Sequence, residues 1–453
     1  MPYPTQPLGG IRPHHLRTPV HTEHNRKAQN KIDVIFTYQQ AAALVVERAQ
    51  VQAQRLASAT PRQTERLPLL ESLHRVLAQP IRADRNLPPF HRSTRDGYAV
   101  QAAALTAGDW LPVVGILRAG EPTPTAPLVS GAALEIMTGA PLPEGADAVV
   151  MLEHVEIAEG RIRLQPDRKL RPGSHIVPTG SEARRGDPLI SAGTRLTAAH
   201  IAALAAVGAA HVEVFARPRV AILATGDELV EIASIPEPHQ IRNSNSASLA
   251  AQVSLAGGRP EGLGIARDNL DDLRALLDRA QQSCDLLLLS GGVSAGKYDL
   301  VEQALAERGA TFHFTGVRIQ PGKPTVFGEL PPRTPGAAPL PFLGLPGNPV
   351  STMVTFLLFA APVLRALAGE ANCAPRFAQA TITEAEPAAD ITRFLPAHLD
   401  ANWDHATVHR IPWQGSGDLA ATAQSNCFVV LPPNTAVEAN TTVQVLQADS
   451  PTG

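Results

Sequence analysis

The chain has only three cysteines in 453 residues, Cys284, Cys373 and Cys427, far apart and in no CxxC pair. That spacing offers neither a zinc site nor a disulfide framework, and a reducing cytoplasm fits it best. An excess of either charge is also lacking, since 39 basic against 42 acidic side chains leave a formal charge of −3. No nucleic-acid footprint and no attraction to an anionic membrane is expected from that balance. Nor is a membrane span expected, since the longest apolar run, residues 353–364, falls short of one and contains Pro362. The N-terminus carries basic residues and prolines without the continuous apolar stretch of a cleaved export signal. The expectation is a soluble protein whose partners are small molecules or other proteins.

At 48.0 kDa the chain exceeds what one core supports, which is roughly 250–300 residues, so several domains are expected. Residues 1–33 are rich in Pro, His, Arg, Gln and Asn and read as a disordered tail. Its His14, His15, His21 and His24 are metal-binding candidates on paper, but a solvated tail is the simpler reading. Residues 38–58 are Ala-rich with apolar positions at helical spacing, closed by Pro61, and 69–77 carry a second, shorter helical pattern. A second Ala-rich helix is expected over 197–209, with Thr197 as N-cap. Between them, short β-type runs such as VVGIL and AVVMLE alternate with turn residues. This pattern predicts a discontinuous helical and extended domain, 34–90 with 171–211, interrupted by an inserted β domain over 91–170. Residues 212–369 alternate strand and helix, the pattern of a parallel sheet with crossover helices, and 370–453 read as a small β domain. The expected class is multidomain α/β, without internal repeats.

Within the α/β segment, five apolar runs each break into a polar loop. AILAT precedes Gly226-Asp227-Glu228, LGIA precedes Arg267-Asp268-Asn269, and LLLLS precedes Gly291-Gly292-Val293-Ser294. VRIQ precedes Pro321-Gly322-Lys323-Pro324, and FLGL precedes Pro346-Gly347-Asn348-Pro349. Loops that follow parallel strands share the carboxyl-end rim of an open sheet, where ligands bind, so all five are expected on one rim. Glycines there let backbone N–H groups approach a phosphate, and a helix starting near Asp299 adds a positive dipole end. Ser290 to Lys297 also satisfies the GxxxxGK of a P-loop, but Tyr298 stands where a Mg²⁺-binding Ser or Thr belongs, so the match reads as coincidence.

The acids of these loops are Asp227, Glu228, Asp268 and Asp299. Clustered carboxylates need a cation among them or must protonate, and hard oxygens beside phosphate favour Mg²⁺. The competing reading is that Asp268 and Asp299 cap the helices that follow them. Two further runs, Ser93 to Ala99 and Met137 to Pro143, are by chemistry alone turns with polar donors.

In order, DGYA at 96–99, MTGAPLPEGAD at 137–147, TGDEL at 225–229, SGGVS at 290–294, PGKP at 321–324 and GLPGNPVS at 344–351 resemble the molybdopterin molybdenumtransferase family, the MoeA-type enzymes related to the gephyrin E-domain. The resemblance covers roughly residues 35–433, and it is the ordered set that is specific. It implies insertion of molybdate into adenylylated molybdopterin with release of AMP, assisted by Mg²⁺. It also implies a homodimer with each site between the α/β domain of one subunit and the β domain of the other. Carried over by position, it points to Asp96, Thr138, Glu228, Asp268, Asp299 and Lys323 as catalytic residues. Glu228, Asp268 and Asp299 would be the metal ligands. Gly291, Gly292, Ser294, Pro346, Gly347, Asn348 and Ser351 would bind the pterin nucleotide, with Ser416 of a Gly415-Ser416-Gly417 turn beside them.

The chain departs from the family pattern at several places. Arg95 replaces the usual Met before DGYA, Gln320 a Lys before PGKP, and Glu182 an Asp in the inter-domain loop. Asn243-Ser244-Asn245 stands for DSN, Arg267-Asp268-Asn269 for RDD, and Phe394-Leu395-Pro396 for an Arg-containing strand. Each lost basic group is expected to weaken anion binding, a charge-assisted hydrogen bond contributing about 1.5–3 kcal/mol, and Arg95 is expected to restore one. A gephyrin-like binding or scaffold module without catalysis is the alternative reading of the same motifs.

Overall fold

The run Leu286–Ser290 has no polar alternation, so both of its faces must be covered. The computed structural model describes residues 35–59, 62–105, 109–267, 269–292 and 300–448, and places this run third in a six-stranded sheet. The order is Arg259–Ala266, Arg219–Thr225, Leu286–Ser290, Leu340–Leu345, Val326–Leu330 and Thr311–Phe314; the first four are parallel, and Val326–Leu330 is antiparallel to both of its neighbours. The strand period of two sends Val220, Ile222, Leu286, Leu288 and Leu345 to one face, and Ala221, Leu223, Leu287, Leu289 and Phe342 to the other. Helices Leu270–Ser283 and Leu300–Glu307 cover the second face through Leu273, Leu277, Val301 and Leu305.

The first face is covered by helices Tyr38–Ala59 and Ser244–Leu255 and by a long apolar helix, Pro349–Leu367. Ala41, Val45 and Ala49, at helical spacing, put the first of these into the same core as Leu249, Val354 and Leu364. Among the described residues Pro349–Leu367 is the helix long and apolar enough to cross a membrane, but 94% of its apolar window is buried inside the protein. It is a core helix. Pro362 has no N–H to donate, and the turn just before it, Phe356–Ala360, widens to π geometry. Phe359 of that turn is fully buried and meets Phe314 edge-on at 5.8 Å. Phe359→Ala is expected to destabilise the protein by about 3–5 kcal/mol, read as a shift in urea unfolding monitored by circular dichroism.

Strands Thr392–Ala401, Ala406–Arg410, Phe377–Ile382, Thr442–Gln447 and Cys427–Leu431 pair in that order, and the last returns to the first. They form a closed five-stranded barrel around Ile382, Leu395, Val408, Val429 and Val445. Strand Gly316–Gln320 adds to its edge, pairing with Thr392–Ala401 on one side and with Ile35–Thr37 on the other. This corrects one expectation: VRIQ is a strand, but it belongs to the barrel's sheet, so Lys323 does not follow a strand of the α/β sheet.

Leu77, Ile190, Leu196, Leu204, Val212 and Val214 make a separate small core under helix Ala198–Ala206, where Thr197 is the N-cap and its N–H donates to His200 Nδ1. The expected helix over 69–77 is only a single 3₁₀ turn, Leu69–Ser72. His74 turns the backbone to φ 64°, and Val76 and Leu77 then bridge to Arg195 and Val214, so tertiary pairing overrides the helical spacing. The chain leaves through a two-stranded stem, Ile81–Arg82 with Pro188–Ile190 and Arg92–Ser93 with Ile176–Val177. Beyond the stem lies a six-stranded sheet in the order Ala148–Met151, Gly97–Val100, Ala133–Ile136, Leu111–Leu117, Arg161–Leu164 and Val155–Ala158. The architecture is multidomain α/β: a mixed, mainly parallel central sheet, a β unit inserted on a stem, and a C-terminal β-barrel.

Candidate functional site

Three strands of the central sheet end together, at Thr225, Ser290 and Leu345, and their loops touch. The Gly291 N–H donates to Leu345 O at 3.2 Å. Gly291 and Gly292 hold φ of 86° and 63°, where a side chain is strained. A Cβ on Gly291 would lie 2.6 Å from Thr225 O, and one on Gly292 2.6 Å from Thr225 Oγ1. A Cβ on Gly347 of the next loop would lie 3.6 Å from Gly291 Cα, an ordinary contact. Glycine is therefore required for two loops to close on the strand end, and that packing leaves backbone rather than side chains on the rim.

Asn245, in the first turn of helix Ser244–Leu255, ties these loops together. Its Nδ2 donates to Ser290 Oγ at 2.8 Å and to Gly347 O at 2.7 Å. Asn243 caps the same helix, accepting from Ser246 N at 3.1 Å. Asn269 does likewise for Leu270–Ser283, accepting from Asp272 N at 2.8 Å. At both of these departures from the family pattern Asn performs the cap that Asp would, with equal chemistry. Two oxygens at this end of the sheet, Thr225 Oγ1 and Asn245 Oδ1, are buried without a hydrogen-bond partner among the described residues. Buried polar atoms in native proteins are seldom left so, and each lacks about 1–3 kcal/mol of compensation. The sequence reading does not single out Thr225 or Asn245 as site residues.

The rim continues into the barrel. Asn348 Nδ2 donates to Ser416 Oγ at 2.8 Å, and Val350 N, one of the free donors at the start of helix Pro349–Leu367, donates to Ser416 O at 3.0 Å. Asn348 thus gives up side-chain capping of its own helix, and Pro349 starts it instead. Pro346 O accepts from the Thr352 hydroxyl at 2.5 Å, and Ser351 is buried in the helix's first turn. Glu228 is exposed, with its carboxylate folded over Gly226, where any side chain would collide with it. Lys323 is exposed on a turn whose Gly322 (φ 113°) packs against Thr355 of the long helix. That turn therefore lies beside the helix that begins at Asn348, although it reaches there from another sheet.

Asp96 and Thr138 meet each other on the inserted sheet. Asp96 Oδ1 accepts from Thr138 N at 2.7 Å and from its hydroxyl at 2.8 Å, and these two bonds hold the carboxyl below the usual carboxylate range. The neighbouring Gly97 is needed because a Cβ would overlap Val150 O. Arg95 is exposed beside them, and Glu182 pairs with Arg92 at 2.9 Å. Asp268, Ser294 and Asp299 lie outside the described residues, as does the P-loop-like stretch after Gly292. Of the three expected metal ligands only Glu228 is described, and among the described residues no three His, Cys, Asp or Glu side chains group as a metal site.

Thr225 and Asn245 thus join Gly291, Gly292 and Gly347 at one strand end, Pro346, Asn348, Ser351 and Ser416 surround the start of the helix that follows, and Glu228 lies in the loop after Thr225, with Asp96 and Thr138 on a different sheet. Comparison with known proteins bears on what such a molecule is. Residues 37–208 match a model described as the MoeA N-terminal region (domain I and II), 221–366 a probable molybdopterin binding domain, and 381–448 the MoeA C-terminal region (domain IV). The chain is 35% identical over 393 residues to a molybdopterin molybdenumtransferase of Bacillus subtilis, covering 85% of this chain and 90% of the relative. It is 40% identical over 314 residues to one from Nostoc, covering 68% and 70%. A crystal structure of a molybdopterin biosynthesis MoeA protein from Pyrococcus horikoshii superposes with a TM-score of 0.67 at 30% identity, over 92% of this chain and all of that one. By fold, motif order and these matches, the chain belongs to the molybdopterin molybdenumtransferase (MoeA) family.

Proposed function

We propose that the chain inserts molybdate into adenylylated molybdopterin and releases AMP. The observation that carries this reading, beside family membership, is the rim of paired glycines with two buried, unpartnered oxygens at one strand end. Backbone exposed by Gly291 and Gly292 suits a phosphate, and Thr225 Oγ1 and Asn245 Oδ1 suit the polar edge of an organic ligand. Asn348, Ser351 and Ser416 extend that surface to the barrel, and the ammonium of Lys323 suits an oxyanion.

The donor set also fits Mg²⁺, because the Glu228 carboxylate and the Thr225 hydroxyl, three residues before it in sequence and without a partner among the described residues, are hard oxygen donors. Glu228 would hold the ion, with Asp268 and Asp299 of the adjoining loops. When bound, it would neutralise charge on the phosphate as the nucleotide leaves. Asp96, kept ionised by Thr138, would complete the site from the inserted sheet of a second subunit in a homodimer. The corresponding division is 34–90 with 171–211, 91–170, 212–369 and 370–453, in a cytoplasmic protein.

Purified protein given adenylylated molybdopterin, molybdate and Mg²⁺ is expected to release AMP in step with formation of the molybdenum cofactor, and chelation of Mg²⁺ to stop it. Release of AMP at the same rate without molybdate would sink the transfer reading and leave a hydrolase.

A further inference from the structure

The opposite end of the central sheet carries a second concentration of charge. Arg219 and Arg259 begin adjacent strands and pair in register, and Asp285 immediately precedes Leu286–Ser290. At about 3.3 Å per residue, the seven residues of Arg219–Thr225 separate this end from the rim by roughly 20 Å. Here a cleft of about 580 Å³ is lined by Arg62, Arg75, Arg217, Arg219 and Arg259 against only two carboxylates, Glu65 and Asp285. Leu56, Phe215 and Leu367 supply its apolar wall. Such a volume lies within the range of small-molecule sites, roughly 300–1,000 Å³.

The two carboxylates do not neutralise the five guanidinium groups. Glu65 is held by Arg75 at 3.0 Å, and Asp285 Oδ2 accepts the backbone N–H of Arg219 at 2.7 Å. Arg62 reaches the carbonyls of Ala53 and Ala366 and lies over the Phe215 ring, with its Nε buried and without a partner among the described residues. The guanidinium groups of Arg217, Arg219 and Arg259 make no hydrogen bond or salt bridge with any described residue. Desolvation, and then the neighbouring Arg75, disfavour the charged form of Arg217, and desolvation alone does so for Arg62. A protein of net charge −3 therefore keeps three guanidinium groups that hydrogen-bond to no described residue on one concave, partly apolar wall, where Glu65 and Asp285 offset only part of the charge. A bound dianion would remove that repulsion.

We propose that this cleft is a second ligand site, separate from the rim, for a small molecule bearing a phosphate dianion or a diphosphate. Arg217, Arg219 and Arg259 hold the phosphate oxygens, and Phe215, Leu56 and Leu367 face any organic part. The source is either a nucleotide-sized phosphate ester or free inorganic diphosphate.

Isothermal titration with AMP and with pyrophosphate tests both. The variant is Arg217→Ala/Arg259→Ala, whose side chains are exposed and bonded to no described residue, so it should fold with an unchanged circular dichroism melt. Wild type is expected to show a binding event that weakens by about tenfold or more in the double variant, corresponding to one lost charge-assisted contact or more. AMP binding more tightly than pyrophosphate at that event assigns a phosphate ester, and the reverse order assigns inorganic diphosphate; either supports the anion site. Superimposable isotherms for wild type and variant, or no binding event beyond one abolished by Gly291→Ala at the rim, overturn it.

Discussion

Gly291→Ala is expected to lower AMP release by about 100-fold while leaving most of the protein folded. Two effects combine. The residue sits at φ 86°, where a non-glycine residue costs on the order of 1–3 kcal/mol. Its new methyl would also stand 2.6 Å from Thr225 O, a backbone atom at the buried end of its strand that cannot turn aside. The loop must retreat instead, carrying the surface proposed to receive phosphate, and a displacement of about 1 Å costs roughly 100-fold in rate. Gly292→Ala meets Thr225 Oγ1 and Val301 Cγ2 at 2.6 and 2.8 Å, and should act in the same direction. Gly160→Ala is the control: φ is 71°, so the backbone strain is alike, but nothing lies within 4 Å of the new methyl. If Gly291→Ala and Gly160→Ala lose stability equally in urea and both keep wild-type AMP release, the rim does not hold the substrate.

Much of this architecture is legible in the sequence because local chemistry and tertiary need agree. LLLLS has no polar face and becomes a strand covered on both sides; residues 38–58 have helical spacing and become Tyr38–Ala59; Thr197 caps its helix. The misreadings arise where a partner distant in sequence decides. VRIQ reads correctly as a strand, but its sheet is chosen by Ile35–Thr37 and Thr392–Ala401, about which a local pattern carries no information. Residues 69–77 have helical spacing, yet Val76 and Leu77 pair with Arg195 and Val214 instead.

The candidate site divides in the same manner. Its glycines are visible because the loops need them, whatever the ligand. Thr225 and Asn245 are not, since the bonds of Asn245 span 45 and 102 residues and the orphaned oxygen of Thr225 appears only once the strands are assembled. Asn243 and Asn269 look like losses of charge in a motif comparison, but as helix caps they lose nothing that the cap requires.

Mixing two inactive variants is expected to restore activity. Asp96 lies on the inserted sheet beyond the stem, whereas Glu228 lies on the central sheet's rim, and in the proposed homodimer each site takes one from either subunit. Asp96→Ala and Glu228→Ala homodimers should each lose AMP release by about 100-fold or more, the scale of removing one preorganised electrostatic contact. In a co-expressed, differently tagged heterodimer one site carries both substitutions and the other carries neither. A random mixture is half heterodimer, so about a quarter of all sites are intact and about a quarter of wild-type activity should return. Asp96→Asn distinguishes charge from scaffolding, because its side-chain oxygen can still accept from Thr138 N while the negative charge is gone. Purified heterodimer as inactive as either parent would mean that both residues act within one chain, or that one of them does not act at all.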